Sequence, residues 1–113
     1  MEDLYLKKCI PCESGTPPLS GEKVSFFINQ VPGWDVIEGK HIYKSFKFRN
    51  FADGLDFVNT IGRIAEMEGH HPDIELSWGK VGIKLFTHKI NGLSDNDFIM
   101  AAKINAAYSS IAL

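Results

Sequence analysis

Cysteine is nearly absent from this 113-residue chain: Cys9 and Cys12 are the only two. A zinc ribbon needs two such C-x-x-C pairs, and no histidine lies at finger spacing from this one. The pair is followed by Glu13-Ser14-Gly15-Thr16-Pro17-Pro18, an extended tract where a thioredoxin-like site would need a helix start. Two reduced thiols on an N-terminal arm are expected, with no stabilising disulfide. A basic excess is lacking too. Lys and Arg number 12 against 14 Asp and Glu, a net charge of -2, which leaves no footprint for direct nucleic-acid binding. No apolar run approaches the roughly 18 residues of a membrane span. Met1 to Lys8 lacks the basic start and apolar stretch of a secretory signal. A soluble, cytoplasmic protein with no membrane partner is expected.

What is present suffices for one modest core, since 44% of residues are apolar. Residues 1–18 read as an extended arm and residues 19–113 as a single domain. Ser20 caps a first helix with Val24, Phe27, Ile28 and Val31 on one side, and Pro32-Gly33 ends it. Trp34 to Ile37 and Ile42 to Phe48 form a hairpin around Glu38-Gly39-Lys40, with Lys44 a defect among inward residues Ile42, Phe46 and Phe48. Asn50 caps a long helix to Glu68, its stripe carried by Phe51, Leu55, Val58, Gly62 and Ala65 and widened by Phe57, Ile61 and Ile64. Gly69 stops it. Ile74, Leu76 and Trp78 alternate on a third strand and Val81, Ile83, Leu85 and Thr87 on a fourth, with Gly79-Lys80 as the turn. Ser94 and Asp97 form a capping box for a last helix lined by Phe98, Ala101, Ala102, Asn105, Tyr108 and Ile111. The order α-β-β-α-β-β-α predicts an α+β two-layer fold: a four-stranded antiparallel sheet with helices packed on one face.

Of four histidines, three fall between positions 66 and 97, together with Glu66, Pro72 and Asp97. Taken singly, each has an ordinary reading: a polar turn, a strand end, a helix cap, a solvated glutamate. Together they suggest proton transfer or metal ligation, because imidazole changes charge near neutral pH. Glu66 and His70, four apart at a helix end, share one side of the chain if the last turn persists. Pro72 biases His71 toward an extended conformation. With Gly79-Lys80 as the turn, His88 ends its strand opposite His71, and the three rings converge. Three histidines with Glu66 could also hold a catalytic zinc. Adjacent His70 and His71 are awkward for that, and the H-E-x-x-H clamp is absent.

The spacing Glu66-x3-His70-His71-Pro72, then Trp78, His88 and Asp97, resembles the signature of the pterin-4a-carbinolamine dehydratases. The likeness extends to the Leu19-Ser20 helix start, Pro32-Gly33-Trp34 and Gly92-Leu93-Ser94, and the Cys9-x-x-Cys12 arm with Pro17-Pro18-Leu19 is similar to bacterial members. Two positions differ from animal members: Ile74 stands where tryptophan is common, and Gly69 where an acidic residue is common. The resemblance implies a dehydratase without cofactor or metal. It would convert a 4a-hydroxytetrahydropterin, the product left by aromatic amino-acid hydroxylases, to quinonoid dihydropterin in tetrahydrobiopterin recycling. His70, His71 and His88 would line the pterin site as acid–base and binding residues. Glu66 would support catalysis and Asp97 substrate binding. A functional link to phenylalanine hydroxylase and a homodimer or homotetramer are implied as well. Two alternatives stand beside it: a non-enzymatic dimerisation module of the kind that serves a homeodomain transcription factor, and a His-ligated zinc hydrolase. For the oligomer, unpaired sheet edges guarded by Tyr43, Lys47 and Lys84, and the last helix with Phe98, Ala101 and Ala102, are the expected contacts.

Overall fold

The computed structural model describes residues 3–11 and 13–111, so Cys12 lies outside the described residues. Helix α1 (Gly21–Ile28) begins where the Ser20 hydroxyl accepts from the Lys23 N–H at 3.3 Å. Strands β1 (Asp35–Ile37) and β2 (His41–Lys47) form the first hairpin. Helix α2 (Phe51–Glu68) starts on the Asn50 side chain, which accepts from the Asp53 N–H at 2.8 Å. It ends at Gly69, whose φ of 67° is left-handed, a conformation that costs glycine little. Strands β3 (Asp73–Ser77) and β4 (Lys80–Leu85) follow, then a 3-10 turn at His88–Ile90 and helix α3 (Asp95–Ser109). The expected order holds.

The sheet runs β1-β2-β4-β3, antiparallel throughout. Inward residues Ile42 and Phe46 of β2 and Val81, Ile83 and Leu85 of β4 join Phe57, Ile61 and Ala65 of α2 and Phe98 and Ile104 of α3 in one core. Side chains of this size are each worth about 1.5–3 kcal/mol when fully buried, so this layer dominates folding. The Lys44 defect resolves itself. Its ammonium reaches the Pro32 carbonyl at 3.0 Å and Asn105 Oδ1 at 2.9 Å, so the donors of an inward lysine find acceptors. Burial pushes its pKa down. Among the described residues, no helix is long and apolar enough to cross a membrane.

Four expectations fail in detail. The α2 stripe is rotated: Gly54, Phe57, Ile61 and Ala65 are buried, whereas Phe51 and Leu55 are exposed. Gly54 sets that rotation, because a Cβ there would lie 3.1 Å from Leu76 Cδ1 and 3.4 Å from Val81 Cγ2. The second hairpin turns at Trp78-Gly79, since Ser77 pairs with Lys80. Gly79 supplies a φ of 74° at the second loop position, which pulls the turn back by one residue from Gly79-Lys80. On α3, Phe98 and Ala101 are fully buried in the chain's own core and cannot face a second subunit. The outermost strands are β1 and β3, so Tyr43 and Lys84, each paired on both sides, guard no edge; β1 pairs only with residues 41–43 of β2, which leaves Lys47 on a stretch of β2 without a strand on that side.

The N-terminal segment is docked. Leu4–Leu6 makes a 3-10 turn on α3, with Leu4 buried, and Lys103 Nζ donates to the Tyr5 carbonyl at 2.7 Å.

Candidate active site

Asp97, at the third position of α3, is wholly buried and accepts three hydrogen bonds. Its Oδ2 takes the Ser94 N–H at 2.9 Å, closing the capping box, and the Thr87 hydroxyl at 2.9 Å. Its Oδ1 takes His70 Nε2 at 2.6 Å. Thr87 spends its one proton on Asp97, so in the 2.7 Å contact between Thr87 and Ser94 the serine hydroxyl is the donor. A residue well explained as a helix cap is therefore also the orienting partner of a histidine. Because a carboxylate only accepts, His70 carries its proton on Nε2 and keeps Nδ1 as the lone-pair nitrogen when neutral.

His71 points to a different partner. Its Nε2 contacts Glu66 Oε2 at 2.5 Å, with side-chain exposures of 61% and 77%. The expected pairing of Glu66 with His70 thus gives way to Glu66 with His71. Helix α2 ends at Glu68 and Gly69 turns left-handed, so the next two side chains leave the helix on different sides: His70 goes inward to α3, His71 stays outside.

His88 reaches the site by a route other than the expected strand end. β4 stops at Leu85, and Thr87 closes a small loop with Gly92 through N–H to carbonyl bonds of 2.8 and 3.4 Å. Asn91, with a φ of 50°, makes the left-handed turn that the loop needs. His88 opens its 3-10 turn, exposed, its ring 4.1 Å from that of Phe86.

A cavity of about 250 Å³ joins these parts, lined by His70, His71, Thr87, His88 and Lys89. Glu68, Asn96 and the arm residues Cys9, Ile10 and Pro11 line it as well. All three expected histidines share it; Glu66 and Asp97 stand behind His71 and His70. Two larger depressions, of about 470 and 500 Å³, hold no histidine. Thr87, Glu68, Asn96 and the arm were not expected at the site. In the sequence the arm offers only its C-x-x-C pair, read as two reduced thiols, and its likeness to bacterial family members. Cys9 is unsuited to thiol chemistry: burial, and then the nearby Glu68, push its thiol up from 9.0 to about 12. Among the described residues, no group of three His, Cys, Asp or Glu side chains is arranged to hold a metal ion.

The family model described as pterin 4 alpha carbinolamine dehydratase matches residues 17–107. The chain belongs to that family. A relative from Alkaliphilus metalliredigens, provisionally named a pterin-4-alpha-carbinolamine dehydratase, is 54% identical over 110 residues, covering 96% of this chain and 99% of its own. One from Rubrobacter xylanophilus with the same provisional name is 50% identical over 105 residues, 93% of this chain and 98% of its own. Among solved structures, a transcriptional coactivator/pterin dehydratase from Brucella melitensis superposes with a TM-score of 0.76 at 31% identity, covering 80% of this chain and 97% of that one. A pterin dehydratase-like protein identified as a RuBisCO assembly factor, at 22% identity and TM-score 0.59, shares the fold. It covers 93% of its own chain and 70% of this one.

Proposed function

We propose that this protein eliminates water from a 4a-hydroxytetrahydropterin, giving quinonoid dihydropterin, by general acid–base catalysis on histidine. The elimination needs one proton delivered to the oxygen leaving C4a and one removed from N5; the N5 lone pair expels the hydroxyl, so neither metal nor covalent intermediate is required. His70 is the base: Nε2–H bound to Asp97 presents Nδ1 as the acceptor, and Asp97 balances the charge that the ring gains. His88, with no carboxylate hydrogen-bonded to it among the described residues, supplies the proton to the leaving oxygen and reloads from solvent. His71, tied to Glu66, holds the pterin at the mouth. In this reading Asp97 is a positioning residue for the substrate-binding His70, and Glu66 does the same for His71.

One observation carries the proposal: a fully buried carboxylate, satisfied by three donors, aimed at a histidine that lines a cavity with two more. The supplier of the substrate would be an aromatic amino-acid hydroxylase such as phenylalanine hydroxylase, which places the protein in cytoplasmic tetrahydrobiopterin recycling. A homodimer or homotetramer belongs to the same reading. Open edges β1 and β3, and exposed Phe51 and Leu55 on α2, are the surfaces that association would cover. The test is stopped-flow mixing with freshly generated 4a-hydroxytetrahydropterin after exhaustive chelation. Dehydration accelerated in proportion to protein supports the proposal. A rate equal to the spontaneous one refutes it, and a rate abolished by EDTA and restored by zinc would transfer the chemistry to a metal.

A further inference from the structure

The arm lies outside the family match, which begins at residue 17, yet it meets both elements that carry the His70–Asp97 pair. Glu68, the last residue of α2 and two before His70, accepts the Cys9 N–H at 2.9 Å. Asn96, next to Asp97 in the first turn of α3, treats Ile10 as a peptide partner. Its Oδ1 accepts the Ile10 N–H at 2.9 Å and its Nδ2 donates to the Ile10 carbonyl at 2.6 Å. These contacts close a ring. It runs from Glu68 through Gly69 to His70, across the side-chain bond to Asp97, back to Asn96, over to Ile10, and through Cys9 to Glu68 again.

The two ends of the His70–Asp97 bond are not equally fixed. Asp97 is set by Thr87 and by the Ser94 N–H. His70 follows the helix end across Gly69, where a Cβ would meet nothing within 4 Å, so no packing braces that joint. The brace comes from Glu68. Its side chain is only 6% exposed, and its second oxygen lies 3.7 Å from Lys103 Nζ on α3. A carboxylate so placed keeps its donors, because losing one inside the protein is costly. From this ring we propose that the arm is a positioning element of the catalytic pair. By joining Glu68 to Asn96 it sets the reach from the end of α2 to Asp97, and with it the place where His70 Nδ1 presents its lone pair. Glu68 and Asn96 are positioning residues, acting through His70 and Asp97. The catalytic use of that lone pair rests on the dehydratase reading; the placement of the ring does not.

The test reads the His70 ring and the reaction separately. His70 Nε2–H, on a side chain 10% exposed and bonded to a buried carboxylate, is expected as a slowly exchanging imidazole resonance in proton NMR. The ring of contacts is then broken from either side. Asn96→Ala removes both bonds to Ile10. Cys9→Pro removes the N–H that Glu68 accepts and alters neither helix, so it decides the matter should Asn96→Ala fail to fold. Limited proteolysis verifies that the arm is released in each. Both variants are expected to exchange Nε2–H about tenfold faster or more, and to lose about tenfold in kcat for 4a-hydroxytetrahydropterin with KM within about threefold. Cys9→Ala, which keeps the N–H, leaves the resonance as it is. Glu68→Gln, which keeps an acceptor for Cys9, should stay near the unaltered protein, whereas Glu68→Ala follows the two breaks. Unchanged exchange in a protein whose arm is released overturns the proposal, and so does faster exchange with unchanged kcat. The absence of a protected resonance in the unaltered protein overturns it as well, since the pair is then not formed. Should the unaltered protein catalyse no dehydration, the dehydratase reading fails alone, and the exchange rates still decide whether the arm places the ring.

Discussion

Two histidine–carboxylate pairs sit on consecutive residues of one connection, and they differ in nearly everything except chemistry. His70 meets Asp97 across the junction of α2 and α3, with side-chain exposures of 10% and 0%. His71 meets Glu66 over five residues of local chain, both largely in water. Water screens the outer pair and lets its side chains move, so an exposed pair of this kind contributes about 0–1 kcal/mol. The inner pair is held by packing and by two other donors to the same carboxylate, and its electrostatics act in a less polar medium. Identical functional groups thus become an orienting device in one place and a solvated contact one residue later. Burial makes the difference.

The comparison is sharpened first by removing the inner histidine. His70→Ala is expected to lower kcat by about 10²–10⁴-fold, the usual worth of a positioned general base, and His88→Ala by about 10²-fold at the acid end. Stopped-flow turnover reads both, and a wild-type rate in both variants would break the assignment. Next comes stability. Asp97→Asn removes the charge that three donors share and sets an Nδ2–H group opposite His70 Nε2, so the ring must either give up its Nε2–H for the Nδ1–H tautomer or leave donor facing donor; a loss of about 1–3 kcal/mol in urea unfolding is expected. Glu66→Gln should leave the unfolding midpoint within error, and a matching loss there would erase the contrast between the pairs. Smaller still is His71→Ala, which should raise KM a few-fold at nearly constant kcat.

The Cys9 thiol is raised in the folded chain, from 9.0 to about 12, so folding favours its protonated form. The stabilisation is fully present below about pH 9 and is lost as pH rises toward 12, where the unfolded or released arm ionises and the docked one resists. Limited proteolysis of the arm should therefore accelerate across that window, and less so in Cys9→Ala. A pH-independent rate in the unaltered protein would show that the thiol does not hold the arm closed.

Local signals in the sequence were enough for the element order, since Ser20, Asn50 and Ser94 each cap the helix they precede and Gly69 ends one. Periodicity was less reliable where it was nearly uniform: α2 carries apolar residues around more than half its circumference, and the choice of buried face fell to Gly54 through its close approach to Leu76 and Val81. The hairpin register hinged on which loop position Gly79 occupies, a one-residue matter invisible to alternation. At the site, the residue types were legible and their pairing was not. Four-residue spacing favoured Glu66 with His70, but the helix ends before that spacing applies. Contacts between segments far apart in the chain, Cys9 to Glu68 and Ile10 to Asn96, have no local signature at all.

The central claim is that His70 and Asp97 work as one catalytic unit. A double-mutant cycle on kcat for 4a-hydroxytetrahydropterin, using His70→Ala, Asp97→Asn and the combined variant with folding verified for each, tests it most directly. If Asp97 acts only through His70, the combined variant is no slower than His70→Ala alone. Losses that multiply in the combined variant would contradict the account and give Asp97 a role of its own.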